Sequence, residues 1–597
     1  MKKLINSIKS FNQIIKQLNY ILNREQKKRS ISVFINMVIA SAFDMLGVAA
    51  ILPFITALTN IETVKKQWYT KIFINMFNIR SDTVLMILIG VGIILIYVIK
   101  NVYLYIYQCI LIRFQCSIQE DVSVLMLRSY MSRPYSFFRK TNSSVVLRGI
   151  DLDANALYCV ISNLFSIMSQ ILTIILVGWF LIRQDATMAV GIISASVVCI
   201  FVIVFGLKTK SGKAGRKFSD SNAERVGASY QIVNGIKEIF VMQRKEPFTD
   251  KYENAYRKYT SSLISKNEIS AAPIRIIETT VVAFVIGIVC VKLALGMDPM
   301  DYVPQLATFA VAGFRLIPMV TAIPTCMNEL IFYKPMLNEA YENISSARDY
   351  SKHTNEIKVD NDDSVNSKFT ESINIRNLCY RFDDADDNVI NDLSLTITPG
   401  ESVGIVGESG AGKSTLVDMI MGLQTPSSGK IAVDGKDIYS IPRRWSKMIG
   451  YIPQTIFLMD DTIRNNILFG SESDNDDNVW KALDEANIKS FIESLPEGLD
   501  TVVGEQGIRL SGGQRQRIAI ARALYYNPSI IVMDEATSAL DNETEKAVME
   551  SVDVMQGEKT LIIVAHRLTT IKHCDHIYEM KDKKLVERTY ASLVKEN

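Results

Sequence analysis

The sequence has few of the residues from which metal centres and disulfide frameworks are built. Its four histidines are dispersed, and its eight cysteines form no CxxC pair and lie mostly in apolar runs. This pattern excludes a disulfide-stabilised domain and a cysteine-ligated metal site, and it is typical of a reducing compartment. The formal net charge is only +2, so composition gives no electrostatic reason to expect a nucleic-acid partner. We also expect no cleavable signal peptide.

Apolar residues are abundant and make up 48% of the 597 positions. A chain of this length exceeds one domain, and its hydrophobicity exceeds that of an ordinary soluble protein. Residues 1–29 are basic, and one face of the helix predicted there carries Leu4, Ile8, Phe11, Ile15, Leu18 and Leu22. Such an amphipathic helix lies either on the inner membrane surface or against the rest of the protein, and the sequence leaves both open.

Six apolar runs are long enough to cross a bilayer. They cover 31–58, 84–112, 157–182, 188–207, 273–295 and 303–332. The connections 113–154 and 208–271 are long and basic, and charge bias therefore places them in the cytoplasm. We predict a six-span helical membrane domain over 30–335 with both chain ends inside. The first outer connection, 60–82, is predicted to form a short amphipathic helix at the outer interface.

The composition changes after the last apolar run. A polar, charged linker is predicted over 336–371, and short β-branched runs then alternate with helical stretches over 372–597. The runs ESVGIVG, KMIGYIP, SIIVMDE and TLIIVAH predict buried strands. This alternation indicates an α/β nucleotide-binding domain.

A glycine-rich segment, GESGAGKST, lies between a predicted strand and a predicted helix and has the spacing of a phosphate-binding loop. Its glycines let backbone N–H groups converge on phosphate oxygens, Lys413 would reach the β and γ phosphates, and the Ser414 hydroxyl would ligate Mg²⁺. A short match can arise by chance, but the flanking strand and helix favour the functional interpretation. The expected cofactor-binding residues are Gly407, Glu408, Ser409, Gly410, Ala411, Gly412, Lys413, Ser414 and Thr415.

Two further motifs follow along the chain. SIIVMDE ends a predicted strand with Asp534, which would hold Mg²⁺, and Glu535, which would polarise the attacking water. LSGGQ contains Ser511, Gly513 and Gln514 and opens a helix whose positive dipole end suits a phosphate. Either motif alone has a structural explanation, as an acidic pair at a helix start or as simple helix punctuation.

Together these three motifs resemble the ATP-binding-cassette (ABC) family across 372–597. The resemblance implies ATP and Mg²⁺ as cofactors, with Gln454 sensing the γ phosphate and contacting the metal. It also implies an adenine-stacking aromatic residue, for which Phe382 is the first candidate and Tyr380 its rival. The X-loop, D-loop and switch positions fall on Glu505, Asp541 and His566.

The same resemblance has consequences for assembly. In ABC proteins the signature loop of a second cassette completes each ATP site, and this chain has one cassette and six spans. The resemblance therefore implies a homodimer, unless another chain supplies the second half. The six-span, cassette-last order resembles ABC exporters, which implies short coupling helices near 135–140 and 229–238.

Three cations lie within or beside the spanning runs, where an unpaired charge is costly. Lys100 lies roughly 27 Å along its helix, near the inner-leaflet level, and Arg275 stands at the inner entrance of its span. Arg315 lies about 18 Å from the outer start of its span, nearer mid-membrane. We predict that all three face a central cavity and bind an anionic headgroup such as a diphosphate. The alternatives are snorkelling for the first two, or local pairing with Asp44, Glu278 or Glu329.

Segments such as SAFDMLGVAAILPFITAL, NEISAAPIRIIE and IGYIPQTIFLMDDTIRNNILFG resemble the PglK-type bacterial flippases for lipid-linked oligosaccharides, over nearly the full length. The resemblance implies a homodimeric, ATP-driven flippase of the bacterial inner membrane, with its cassette in the cytoplasm. Its substrate would be a polyprenyl-diphosphate-linked glycan moved from the inner to the outer leaflet. Two alternatives remain open: export of a drug, another lipid or a peptide, and a non-transport ABC ATPase, against which six spanning runs argue.

Overall fold

The structure is a computed structural model that describes residues 2–59, 61–65, 67, 70–71, 81–184, 186–294, 299–356, 369–382, 385–471, 475–536 and 542–596. Only the backbone is described over 2–8, 299–315, 351–356 and 542–544 and at several single helix positions. The chain divides into two compact units. The first comprises Met1–Arg133 and Lys140–Ser351, and the second comprises Pro134–Arg139 and Lys352–Asn597. A short segment from the N-terminal half therefore belongs with the C-terminal unit.

Helices build the chain up to residue 356. In order they are α1 (Lys2–Ile21), α2 (Arg24–Ala49), α3 (Ile51–Thr59), α4 (Ile61–Lys65), α5 (Asp82–Met131), α6 (Tyr135–Lys140), α7 (Ser143–Arg148), α8 (Ala154–Gln184), α9 (Ala186–Asn234), α10 (Ile236–Val241), α11 (Lys245–Ala294) and α12 (Pro299–Glu356). A π-helical turn over Gly149–Asp153 joins α7 to α8. At the start of α2, the Asn23 and Gln26 side chains cap each other's backbone N–H groups, which fixes the start of that helix.

Six helices in the described part of the chain are long and apolar enough to cross a membrane. The six-span fold class predicted from the sequence is therefore confirmed. Helices α5 and α11 each contain 50 residues, which corresponds to about 75 Å at 1.5 Å per residue. Because the hydrocarbon core of a bilayer is about 30 Å thick, more than half of each helix extends beyond it.

Several helix boundaries differ from the sequence-based prediction, and α12 continues to Glu356, past the start of the linker predicted over 336–371. The first run, 31–58, is interrupted at Ala50 because Pro53, in the first turn of α3, has no N–H to continue the hydrogen-bond ladder of α2. The short helix expected near 229–238 begins later than predicted, since α9 continues to Asn234 and the separate short helix α10 covers Ile236–Val241. The helix predicted near 135–140 is confirmed as α6.

Two segments were predicted to lie at a membrane surface: the N-terminal helix, for which packing on protein was the alternative, and the first outer connection. Helix α1 packs on α12: Ile14 and Leu18 are buried, and Gln17 Nε2 donates to Asn338 Oδ1 at 2.8 Å. Of the two alternatives for this helix, the structure therefore shows packing on protein along one face. In the outer connection, α4 is described, whereas most of the predicted interface helix lies outside the described residues.

The second unit is an α/β domain. Its strands are β1 (Ile373–Tyr380), β2 (Ile390–Ile397), β3 (Ser402–Gly407), β4 (Ser428–Val433), β5 (Lys436–Asp437), β6 (Ile449–Ile452), β7 (Ile530–Asp534), β8 (Thr560–Val564), β9 (His576–Lys581) and β10 (Lys584–Arg588). Most of α6 belongs to this unit. The other helices of the unit are α13 (Lys413–Ile420), α14 (Pro442–Met448), α15 (Ile463–Leu468), α16 (Asp476–Glu485), α17 (Lys489–Glu493), α18 (Gly512–Leu524), α19 (Asn542–Asp553) and α20 (Tyr590–Glu596).

Two sheets form in this unit. One is a four-stranded antiparallel sheet of order β2-β1-β4-β5, and the other is six-stranded, of order β10-β9-β3-β8-β7-β6. In the larger sheet β9, β3, β8, β7 and β6 are parallel, and only β10 runs antiparallel to its neighbour. The four strands predicted from apolar runs are β3, β6, β7 and β8, and all are confirmed. Ligands bind at the carboxyl ends of such parallel strands, where β3 and β7 deliver the glycine-rich loop and Asp534.

Candidate functional site

The glycine-rich loop leaves the end of β3 at Gly407 and enters α13 at Lys413. Gly410 and Gly412 have φ angles of +85° and +103°, which L side chains rarely adopt. A Cβ atom at Gly412 would lie 3.0 Å from Val389 Cγ1, so both conformation and space require glycine. The Lys413 ammonium donates to the backbone oxygens of Gly407 at 2.9 Å and Glu408 at 3.0 Å. Burial lowers the pKa of Lys413. The two carbonyl oxygens of the loop are therefore the groups that hold its ammonium in place.

The last residue of β7, Asp534, supplies a buried carboxylate. Its Oδ1 atom has no hydrogen-bond partner among the described residues, whereas the Ser414 side chain hydrogen-bonds to the carboxylate. Burial, followed by the neighbouring Glu535 charge, raises the pKa of Asp534. An orphaned carboxylate oxygen beside a hydroxyl is a suitable partial ligand set for Mg²⁺.

The described residues contain no closed metal cluster elsewhere: no three His, Cys, Asp or Glu side chains in them come together in a metal-binding arrangement. Mg²⁺ in nucleotide sites is usually held by one or two carboxylates together with substrate phosphates. The pair Asp534 and Ser414 therefore fits Mg²⁺ bound with a nucleotide better than a resident structural metal.

Glu535 lies at the centre of a three-residue cluster. Its φ of +48° is a strained conformation for a side chain of this kind, and its N–H donates to Val564 O at 2.9 Å. Its Oε2 accepts from Gln454 Nε2 at 2.5 Å, and its Oε1 lies 2.7 Å from His566 Nε2. The structure thus brings together the three residues predicted to be catalytic, although 112 positions separate Gln454 from His566.

The candidate site is a cavity of about 510 Å³ in the second unit. Its lining consists of Arg139, Phe382, Val389, Ser409, Gly410, Gly412, Lys413, Ser414, Thr415, Gln454, Glu535 and His566. Phe382 is in this lining and Tyr380 is not, and the two rings pack edge to face with centroids 5.0 Å apart. This arrangement favours Phe382 over its rival as the residue that contacts a base. Glu408 and Ala411 belong to the loop without lining the cavity.

The signature residues lie elsewhere on the same unit. Ser511 is the N-cap of α18 and forms a capping box with Gln514, which explains the local sequence without a ligand. Ser511, Gly513 and Gln514 are not in the lining of the cavity described above. Glu505 is exposed in a short 3₁₀ turn, and Asp541 lies outside the described residues.

Sequence reasoning missed Val389 and two charged residues at this site. Arg139, from α6, lines the cavity, and its guanidinium lies 3.6 Å from the carboxylate of Asp418 on α13. Neither residue belongs to a nucleotide-binding motif, so no local signal in the sequence identifies them.

The three cations proposed for a membrane cavity have different surroundings. Lys100 is not a cavity cation, because its side chain is only 1% exposed and its Nζ lies 3.2 Å from Asp44 Oδ1 and 5.0 Å from the centre of the Tyr97 ring. The expectation that it faces open space is corrected to the local-pairing alternative. Gly47 makes room for it, since a Cβ atom there would lie 2.9 Å from Lys100 Cδ.

The other two cations remain candidates. The side chain of Arg275 is 82% exposed, and its guanidinium lies 3.5 Å from Glu278 one helical turn away. The side chain of Arg315 lies outside the described part of the chain. The third proposed acidic partner, Glu329, instead pairs with Lys266 at 3.3 Å.

Comparison with known proteins covers both units. A family model described as ABC transporter matches residues 390–538, and one described as ABC transporter transmembrane region matches residues 64–298. The chain is 30% identical over 507 residues to the ATP-dependent lipid A-core flippase of Syntrophus aciditrophicus, covering 84% of this chain and 82% of the relative. It is also 30% identical over 475 residues to the heterocyst differentiation ATP-binding protein HepA of a Nostoc species, covering 77% and 74%.

One solved structure matches almost the whole chain. A bacterial Atm1-family ABC exporter with ATP bound aligns with a TM-score of 0.73, covering 96% of this chain and 97% of that chain. The two sequences are 21% identical, so this likeness concerns the fold.

Proposed function

The chain belongs to the ABC transporter family, and on that premise we propose that it flips an anionic lipid-linked substrate, a polyprenyl-diphosphate oligosaccharide, from the inner to the outer leaflet of a bacterial inner membrane. It is a multi-pass ABC exporter that hydrolyses ATP with Mg²⁺ and carries its cassette in the cytoplasm. The proposal adds the substrate, the homodimeric state and the roles of individual residues.

The proposed chemistry follows from the cluster around Glu535. Backbone N–H groups of the loop from Gly407 to Thr415 bind the phosphates, and Lys413 is released from its own loop to contact them. Ser414, Asp534 and Gln454 would hold Mg²⁺, which would supply positive charge to neutralise the phosphate oxygens. Glu535 accepts a proton from the attacking water, and His566 contacts the γ phosphate. The hydrogen bonds that now join Gln454 and His566 to Glu535 must loosen to admit that water.

The positions of the signature residues support the proposed homodimer. Ser511, Gly513 and Gln514 do not line the cavity of their own cassette. A second copy of the chain would bring its signature loop to this cavity and receive the same contact in return. Each ATP site would then contain residues from both subunits.

The lipid nature of the substrate rests chiefly on one cavity of the first unit. It has a volume of about 320 Å³ and lies among α8, α9, α11 and α12, with lining residues such as Ile174, Ile200, Val281 and Val320. Its lining is almost wholly apolar, as a hydrocarbon chain requires. Arg275 precedes Val281 on the same helix by six residues, about 9 Å of rise. An exposed cation near an apolar cavity suits a lipid with an anionic headgroup.

Relatives add support of a coarser kind. The protein of Syntrophus aciditrophicus and a second relative from Photobacterium profundum are both named ATP-dependent lipid A-core flippases. Their names support movement of a lipid, and they make lipid A-core the second candidate substrate. The oligosaccharide proposal comes from the full-length resemblance to PglK-type flippases.

The deciding experiment is a flipping assay with the purified full chain in proteoliposomes. Three lipids are compared: a polyprenyl-diphosphate oligosaccharide, lipid A-core and an uncharged glycolipid. We expect ATP-dependent movement of the first and none of the third. Movement of lipid A-core without the first would reject the oligosaccharide, and movement of the uncharged lipid alone would reject an anionic substrate.

Variants then test the headgroup contact. Arg275→Gln and Arg315→Gln should each reduce flipping about tenfold or more while basal ATP hydrolysis continues, since one charged hydrogen bond is worth about 1.5–3 kcal/mol. Arg257→Gln is the matched control, because Arg257 is also on α11, is also exposed and also pairs with a glutamate on its own helix. Equal flipping by all three variants would contradict a specific headgroup contact.

A further inference from the structure

Arg139 is the one residue of the nucleotide cavity lining that comes from the connection between the spanning helices α5 and α8. It lies on α6, in the segment Pro134–Arg139, which forms one compact unit with the cassette. The Arg139 guanidinium carbon lies 4.9 Å from the centre of the Phe382 ring. The same side chain lines the cavity with the glycine-rich loop.

Two contacts hold the guanidinium there without burying it. One is the face of the Phe382 ring, and the other is the Asp418 carboxylate at 3.6 Å. The Arg139 side chain remains 40% exposed, and an ion pair at this distance and exposure is weak. The guanidinium can therefore exchange these partners for others within reach of a long, flexible side chain.

The chemistry of a purine nucleotide matches this position. A guanidinium is planar, permanently charged and able to stack on the face of an aromatic ring or a nucleobase. It covers the ring that a base would stack on, close to the loop that would bind the phosphates.

We propose that Arg139 is a nucleotide-binding residue and that its guanidinium exchanges the Phe382 ring for the purine of ATP. The base is then held between an aromatic ring and a cation, and one contact to ATP belongs to the polypeptide that joins α5 to α8. This inference rests on the proposed assignment of the glycine-rich cavity as the ATP site.

The test measures ligand affinity of the full chain in detergent, in a Glu535→Gln background that prevents hydrolysis. ATP is compared with inorganic tripolyphosphate, which has the phosphates and lacks the base. Arg139→Ala should weaken ATP binding roughly threefold to tenfold, the range of a partly desolvated cation–π contact. Tripolyphosphate binding should be unchanged, and Arg139→Lys should lie between the wild type and alanine because it keeps the charge without the planar face.

Lys140→Ala is the matched control, since it removes the same charge from the next, exposed residue of α6. If Lys140→Ala weakens ATP binding as much as Arg139→Ala does, the effect is general electrostatic attraction and the proposal is overturned. The same holds if Arg139→Ala weakens tripolyphosphate binding as much as ATP binding. Unchanged or tighter ATP binding by Arg139→Ala would also overturn it, the latter because the guanidinium would then be an obstruction. Lys413→Ala should weaken both ligands, and its failure to do so would contradict the site assignment itself. Arg139→Lys also guards against misfolding of the alanine variant.

Discussion

Removing the Asp44 carboxylate while keeping Lys100 leaves a cation inside the helical bundle. The pair is 3.2 Å apart, and the two side chains are 17% and 1% exposed. Truncating one partner of a buried ion pair costs about 3–5 kcal/mol, because the remaining charge loses its compensation. We therefore expect Asp44→Ala to lower the unfolding temperature by roughly 4–7 °C, since the unit that contains the pair has about 350 residues and the shift per kcal/mol falls with size.

The double variant Asp44→Ala, Lys100→Met tests whether the charge is responsible. Methionine places an unbranched, uncharged side chain against Gly47, where Lys100 now packs, so the double variant should recover most of the lost stability. The assay is thermal unfolding of the detergent-purified protein, followed by tryptophan fluorescence and by size-exclusion chromatography of heated samples. Glu253→Ala is the control, because it breaks an exposed ion pair with Arg257 and should change stability by less than about 1 kcal/mol.

If Asp44→Ala unfolds at the wild-type temperature, Lys100 does not depend on Asp44 in the folded protein. If the loss of stability in the double variant equals the sum of the losses in Asp44→Ala and Lys100→Met measured singly, the two residues are energetically independent despite their contact.

Three further predictions concern the cassette. Glu535→Gln should retain ATP binding and lose about 10²–10⁴-fold in phosphate release, because an amide cannot accept the water proton, and near-normal turnover would contradict its role. Asp534→Asn should unfold at a higher temperature than the wild type in nucleotide-free buffer with chelator at neutral pH. The reason is that burial raises the Asp534 pKa, so the free energy of unfolding falls as pH rises from the unfolded-state pKa through the folded-state pKa. The stability advantage of the Asn variant should therefore vanish when the pH is lowered through that range. A lower unfolding temperature of Asp534→Asn at neutral pH would contradict the assignment. Mixed dimers of Lys413→Ala and Gly513→Asp chains, isolated with two affinity tags, should hydrolyse more ATP than either parent because both defects fall in one composite site. Absence of that gain would count against two independent composite sites.

Features that depend on short stretches of chain were predictable from the sequence. The glycine-rich loop is an example, because the left-handed φ angles at Gly410 and Gly412 and the crowding at Val389 leave little choice of residue. The buried parallel strands were predictable for a similar reason, since a run that is apolar on both faces needs covering on both sides.

Features that depend on which elements meet were not predictable. The sequence offered Asp44 as one of several partners for Lys100, and only the packing of α2 against α5, with Gly47 at the contact, selects it. Arg139 lies in a six-residue helix more than 240 positions before Phe382. Nothing in the local pattern of either segment connects the two, so the position of Arg139 in the nucleotide cavity emerges only from the fold.

The length of α5 and α11 gives the membrane unit the mechanics of a lever. If about 30 Å of each 50-residue helix lies in the bilayer, about 45 Å remains outside it. A tilt of about 5° around a pivot at the membrane surface then moves the far end by about 4 Å, the order of one helical turn. In the same way, a displacement of the far end by about 4 Å tilts the part of the helix within the bilayer by about 5°. The same tilt moves the end within the bilayer by about 2.6 Å, so the movement inside the membrane is about two-thirds of the movement outside it.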